Sequence, residues 1–199
     1  MTSSETTATG HVLYRPNGDP ADRDLFNELF TRRVPQVACG DVQIVDVVRE
    51  RGHWAKVAVW STVSGINAAS VCIGKRGVRV HDVEALFPGE RISVVNYDPE
   101  PLRYGANAID VPVTSVSIIS ERSRDIRVVV PVESFAAAIG RQAQNVRLAS
   151  SLTGWRIAIC TNRCGAHHHV HPRFDASTRR TVWDPRVPGA DLAAGNSLS

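Results

Sequence analysis

Val71-Cys72-Ile73-Gly74-Lys75-Arg76-Gly77-Val78-Arg79-Val80 returns 66 positions later as Ala137-Ala138-Ile139-Gly140-Arg141-Gln142-Ala143-Gln144-Asn145-Val146-Arg147. A match of that length, with an apolar run before the glycine and an amphipathic run after it, marks an internal duplication. In each copy a helical run stops at a glycine, a basic or basic-polar pair follows, then a small residue, then a second helical run. A residue without Cβ lets the backbone lie close to a ligand. The helix after the loop offers unpaired N–H groups and the positive end of its dipole to an anion. Lys75 and Arg76 add two full charges beside it. This is the chemistry of a phosphate clamp, which grips a backbone and does not read bases.

The candidate contact residues follow from that geometry. In the first loop they are Gly74, Lys75, Arg76 and Gly77, with Arg79 one turn further on. In the second they are Gly140, Arg141, Gln142, Ala143 and Gln144, followed by Asn145 and Arg147. Ala143 stands where the first copy has a glycine, so its methyl group is expected to hold a phosphate farther away and make the second loop the weaker clamp.

Working outward, residues 1–23 are rich in Thr, Ser, Gly, Pro and Asp without a sustained period and read as a disordered polar arm. Asp24 to Arg33 sets Leu25, Phe26, Leu29 and Phe30 on one helical stripe, which Pro35 ends. Val42, Ile44 and Val47, then Val57 and Val59 after the turn at Gly52, predict a strand pair. Helices over 67–73 and 78–87 flank the first loop, and Arg91 to Val95 is a third strand. The second copy repeats the order: a helix over 99–109, strands over 115–119 and 126–130, helices over 132–139 and 144–152, and a strand over 155–160. Each unit is therefore α-β-β-α-α-β. The fold class is α+β, with units over 24–97 and 98–160 and an irregular or disordered tail over 161–199.

A Gly-x-x-Gly link between two helices in this order resembles the KH module, whose loop clamps about four nucleotides of single-stranded RNA. The central part of the chain resembles more narrowly the paired type II (prokaryotic) KH domains of the NusA family of transcription elongation, termination and antitermination factors. The residues that carry the likeness are Arg32-Arg33-Val34-Pro35-Gln36-Val37, Arg49-Glu50 with Gly52 and Lys56-Val57-Ala58-Val59, Cys72-Ile73-Gly74 through Val80, and Gly89-Glu90-Arg91-Ile92. In the second unit they are Ala138-Ile139-Gly140-Arg141, Gln144-Asn145-Val146-Arg147-Leu148-Ala149 and Leu152-Thr153-Gly154-Trp155. The resemblance implies three-stranded sheets, single-stranded RNA as partner and a role in transcription, with RNA polymerase or the transcription complex as a further partner. Family members carry a polymerase-binding domain and an OB-fold domain before the KH pair. Here about 23 polar residues precede it, so a reduced two-module form is expected.

Composition leaves room for this reading and removes others. The chain has 199 residues, 43% of them hydrophobic, and 23 Lys+Arg against 20 Asp+Glu for a formal charge of +3, so any basic patch is local. Gly74-Lys75 is not a phosphate-binding loop of a nucleotide hydrolase, because Arg76 stands where Ser or Thr would hold magnesium. No His, Cys or carboxylate set over 24–160 is recognisable as catalytic, and a non-enzymatic protein without a cofactor is expected. Four cysteines with no disulfide framework, no signal peptide and no apolar run of membrane length lead to the expectation of a cytoplasmic monomer. One rival site remains: Cys160 and Cys164, with His167, His169 and His171, are ligand types that zinc prefers at a spacing that matches no standard knuckle. The sequence reading assigns no metal there. The competing function is a KH-fold interaction module that has lost RNA binding, organised by zinc at that tail.

Overall fold

The computed structural model describes residues 16–163, 172–175 and 180–183. Its first unit opens with helix α1, Pro20–Thr31, whose start is fixed by Asp19 accepting from the Ala21 amide and by Pro20 in the first turn. Phe26 and Phe30, one turn apart, are fully buried. The helix thus begins before the Asp24 expected from periodicity. Ahead of the helix, the backbone N–H groups of Asn17 and Gly18 donate to the carboxylate of buried Asp46, at 2.7 and 3.2 Å. Residues 1–15 of the expected arm lie outside the described residues.

Pro35 ends the first helical segment and starts a four-residue helix, α2 (Pro35–Ala38), too short for sequence periodicity to reveal. Strands β1 (Val42–Glu50) and β2 (Trp54–Ser61) form an antiparallel hairpin, and β3 (Arg91–Asn96) joins β2 in parallel. The β1 register shifts between Ile44 and Asp46. This bulge moves Val47 to the same side as Val42 and explains why the alternation of the strand changes phase there. Helices α3 (Ala68–Ile73) and α4 (Val78–Glu84) complete the unit.

The second unit repeats the plan with α5 (Pro101–Ile109), β4 (Ser115–Ser120), β5 (Asp125–Val130), α6 (Phe135–Ile139), α7 (Gln144–Thr153) and β6 (Arg156–Thr161). Its sheet has the order β4-β5-β6, antiparallel then parallel, as in the first unit. The fold is α+β with two three-stranded mixed sheets. Within the tail, expected to be irregular, Pro172–Asp175 (β7) and Arg180–Trp183 (β8) pair as an antiparallel hairpin. Among the described residues no helix is long and apolar enough to cross a membrane.

The two units share a core unequally. The first cluster, from Phe26 and Phe30 through Val57, Cys72 and Val83 to Val94, draws only on the first unit. The second cluster gathers Tyr104, Ile109, Ile126, Val128, Val146, Leu148 and Leu152 and also takes in Val48, Ala58, Val95 and Tyr97 from the outer face of the first sheet. Tyr97 and Tyr104 meet edge to face at 5.0 Å across this junction. Apolar burial on that face holds the pair together, and hydrogen bonds set its register: Asn107 Nδ2 donates to the Asn96 carbonyl at 3.0 Å, and Asn17 Nδ2 to the Leu152 carbonyl at 3.1 Å.

Candidate nucleic-acid interface

Both loops have one backbone conformation. Gly74 has φ 76° and ψ 171°, and Gly140 has φ 75° and ψ 168°. This region is open in practice only to glycine. A Cβ on Gly140 would stand 2.8 Å from the Asn145 backbone nitrogen, so the site excludes a side chain by contact as well as by torsion. The middle residues Arg76 (57°, 24°) and Gln142 (50°, 35°) are left-handed, as are Gly77 (78°, 9°) and Ala143 (57°, 23°). Each turn is closed by a 3.1 Å hydrogen bond, from the Gly77 amide to the Gly74 carbonyl and from the Ala143 amide to the Gly140 carbonyl.

The first loop faces solvent. Lys75 and Arg76 are exposed, and among the described residues neither has a carboxylate partner. Beside them lies an open concavity of about 600 Å³ lined by Ser70, Gly74, Lys75, Arg76, Val78 and Arg79. Val78 is 58% exposed and gives this hollow an apolar patch next to its charges. Helix α4 has only seven residues, so its dipole adds less to the pull on an anion than the two side-chain cations do. Arg79 is half-buried, with Nη1 donating to the Val71 carbonyl at 2.8 Å, so part of its capacity ties α4 to the end of α3.

The second loop is built differently behind the same backbone. Arg141 and Gln142 are exposed, as their counterparts are. Asn145, at the position of Arg79, is only 2% exposed, and its Nδ2 lies at 2.9, 3.1 and 3.0 Å from the carbonyls of Ile109, Ala137 and Ala138. A buried amide so committed fastens the helices together. Gln144 and Arg147 also turn inward. Gln144 Nε2 donates to Glu50 at 2.8 Å, and Arg147 forms a bidentate pair with the same carboxylate at 2.7 and 2.9 Å. Arg147 Nη1 further donates to the Gln142 carbonyl inside the loop, at 3.1 Å. Burial pushes the Glu50 carboxyl up, but the hydrogen bonds from Arg147 and Gln144 and the charge of Arg147 outweigh it and hold it below its usual value.

Ala143 carries a correction. Its side chain is 2% exposed and belongs to the shared core, so the methyl group points inward and does not stand between the loop and a phosphate. Glu50 is the residue that sequence reasoning missed as part of the site, since its partners are 94 and 97 positions away. Its neighbour Arg49 is also structural: it bonds Glu90 and Asp22 and lies 4.4 Å from the Phe87 ring centroid. Of the rival metal ligands, Cys160 is buried in β6, while Cys164, His167, His169 and His171 lie outside the described residues. No cluster of three metal-ligating side chains occurs among the described residues.

Comparison with known proteins agrees with the geometry. Residues 21–97 match the NusA-like first KH domain and residues 107–164 the NusA-like second KH domain. The transcription termination/antitermination protein NusA of Mycobacterium tuberculosis (strain ATCC 25618 / H37Rv) is 48% identical over 137 residues, covering 68% of this chain and 40% of that protein. The protein of the same name from Bacillus subtilis (strain 168) is 31% identical over 173 residues, 87% of this chain and 46% of that one. The chain thus spans less than half the length of these relatives. The crystal structure of APE1850 superimposes with a TM-score of 0.51 at 20% identity, over 72% of this chain and 100% of that one, a likeness of fold. With both domain models matched in order and both loops in one conformation, this chain belongs to the NusA family as a protein with tandem NusA-like KH domains.

Proposed function

We propose that this protein binds single-stranded RNA through its paired loops and acts, without enzymatic activity, in the control of transcript elongation, termination or antitermination. The observation that carries the reading is the first loop: two exposed cations with no carboxylate partner among the described residues stand on a glycine-started turn beside an open concavity. The contact set is Gly74, Lys75, Arg76, Gly77 and the free part of Arg79 in the first module, and Gly140, Arg141, Gln142 and Ala143 in the second. The first module is the principal clamp, because the second has only one exposed cation, Arg141, in its loop. Carrying both loops on one chain makes engagement of the second intramolecular, so two weak grips add to a useful affinity. The protein acts as a monomer, with RNA polymerase or the transcription complex as a further partner.

The deciding experiment is titration of fluorescein-labelled single-stranded RNA at 50 and 200 mM salt, read by anisotropy. Saturable binding that weakens with salt is the expected result. Absence of binding at both concentrations overturns the reading in favour of an interaction module with a silent KH fold.

A further inference from the structure

The two sheets present the same outer face to different neighbours. In the first, Lys56 and Ala58 on β2 pair in register with Ser93 and Val95 on β3, and Ala58 and Val95 lie in the core completed by the second unit. In the second, Arg127 and Val129 on β5 pair in register with Ala158 and Cys160 on β6, which makes this the equivalent face. It points away from the core of its own unit, whose strand residues are Ile126, Val128, Ile157 and Ile159. Yet Ala158 is 5% exposed and Cys160 2%, although neither belongs to either core cluster. β7 of the tail hairpin, which belongs to a separate sheet, lies close to β6.

We infer that the β7 and β8 strands, residues 172–175 and 180–183, dock over the β6 side of the outer face of the second sheet and cap Ala158 and Cys160 there, on the face through which the first sheet receives the second unit. A repeat that docks its successor through one sheet face leaves that face open at the end of the array, and terminal elements of stacked repeats cover such a surface. The occupant is this chain's own tail, because a segment already tethered 11 residues beyond β6 meets the face at high effective concentration. The cap is independent of RNA binding and stands or falls separately from it.

The test compares the Cys39→Ser, Cys164→Ser full-length chain with a Cys39→Ser chain stopped after Arg163, both treated with iodoacetamide at pH 8. Alkylation of Cys160 should rise at least tenfold on truncation, while Cys72, buried in the first unit with its thiol pushed up to about 12, stays protected as the internal control. Equal protection of Cys160 in both chains overturns the cap. As a check that does not depend on truncation, Ala158→Arg in the full-length chain places a long cation under the hairpin. Trypsin cleavage after Arg173 should then accelerate at least tenfold with the melting of the KH pair little changed, and an unaltered cleavage rate also overturns the proposal.

Discussion

Glu50 and Arg147 form a bidentate ion pair across the two KH domains, with Arg147 at the same time holding the Gln142 carbonyl inside the second loop. The pair is 30% and 23% exposed on its two sides, so it is weakened by solvent but not abolished. Through it the shape of the second loop depends on the end of a hairpin in the first domain.

Replacing Glu50 with Ala should therefore lower stability by about 1–2 kcal/mol, the range for a charge-assisted pair discounted for partial exposure. A double-mutant cycle with Arg147→Met, read from urea midpoints, should return a coupling energy of about 1 kcal/mol. The pH dependence has a definite sign. The Glu50 carboxyl lies below its ordinary 4.5 in the folded protein, so its contribution is complete above that value and is lost as pH falls through the lowered one. The Glu50→Ala chain should show a correspondingly smaller loss of stability on acidification.

Charge reversal separates the two loops. Lys75→Asp with Arg76→Asp should leave the melting temperature within a degree or two, since neither side chain has a carboxylate partner among the described residues, and reduce RNA affinity at least tenfold. The slope of log affinity against log salt should fall by about 1.4, as expected when two phosphates of a single strand are no longer neutralised by the protein. Arg141→Asp should remove about 0.7 from that slope. A larger effect from Arg141 than from the Lys75 and Arg76 pair would reverse the order of the two clamps.

Ala143 makes a further contrast with its equivalent, Gly77. A left-handed alanine costs roughly 1 kcal/mol, while burying its methyl group returns about 0.8 kcal/mol. Ala143→Gly should accordingly be close to neutral in thermal melting and leave RNA affinity unchanged, because the methyl group faces the core. Gly77→Ala has no such burial to offset the torsion and should lose about 1 kcal/mol. Gly140→Ala should be worst, at roughly 3 kcal/mol or more, since its φ and ψ are closed to alanine and its Cβ would meet the Asn145 main chain.

Lys56 is fully buried at the domain junction, and its Nζ has no hydrogen-bond partner among the described residues. Burial lowers its pKa from 10.5 to about 8, with Asp110 opposing and Arg91 assisting. The unfolded chain thus binds the proton more tightly than the folded one, and stability should rise with pH between about 8 and 10.5. The difference corresponds to roughly 3 kcal/mol. Lys56→Met should stabilise the protein at pH 7 and flatten the rise, as measured by urea unfolding at pH 7 and pH 9.5.

What the sequence discloses is local and periodic. The copied loop, the Gly52 turn and the alternation in β2 and β5 place the α-β-β-α-α-β order within a few residues, because helix and strand periods are written in neighbours. The start of α1 escapes periodicity, although Asp19 before Pro20 is a cap followed by a first-turn proline and signals it. The site is less legible. The exposure of Lys75 and Arg76 is legible because a solvated loop presents its side chains much as the sequence orders them. That of Asn145 and Arg147 is not, because whether a polar side chain one turn past the loop faces water or protein depends on Ile109 and Glu50, brought there by tertiary packing. The inward turn of Ala143 likewise follows from the core behind it.

The unequal division of the core gives the chain a direction. The first domain closes over residues of its own, whereas the second closes over Val48, Ala58, Val95 and Tyr97 that were made before it. As the polypeptide leaves the ribosome, the earlier domain can be finished and waiting, its outer sheet face a surface on which the later one condenses. A fragment of the first domain should therefore fold with its own core complete, and one of the second alone should lack the wall that Val48, Ala58, Val95 and Tyr97 supply. Gene truncations from the two ends should have opposite consequences for solubility.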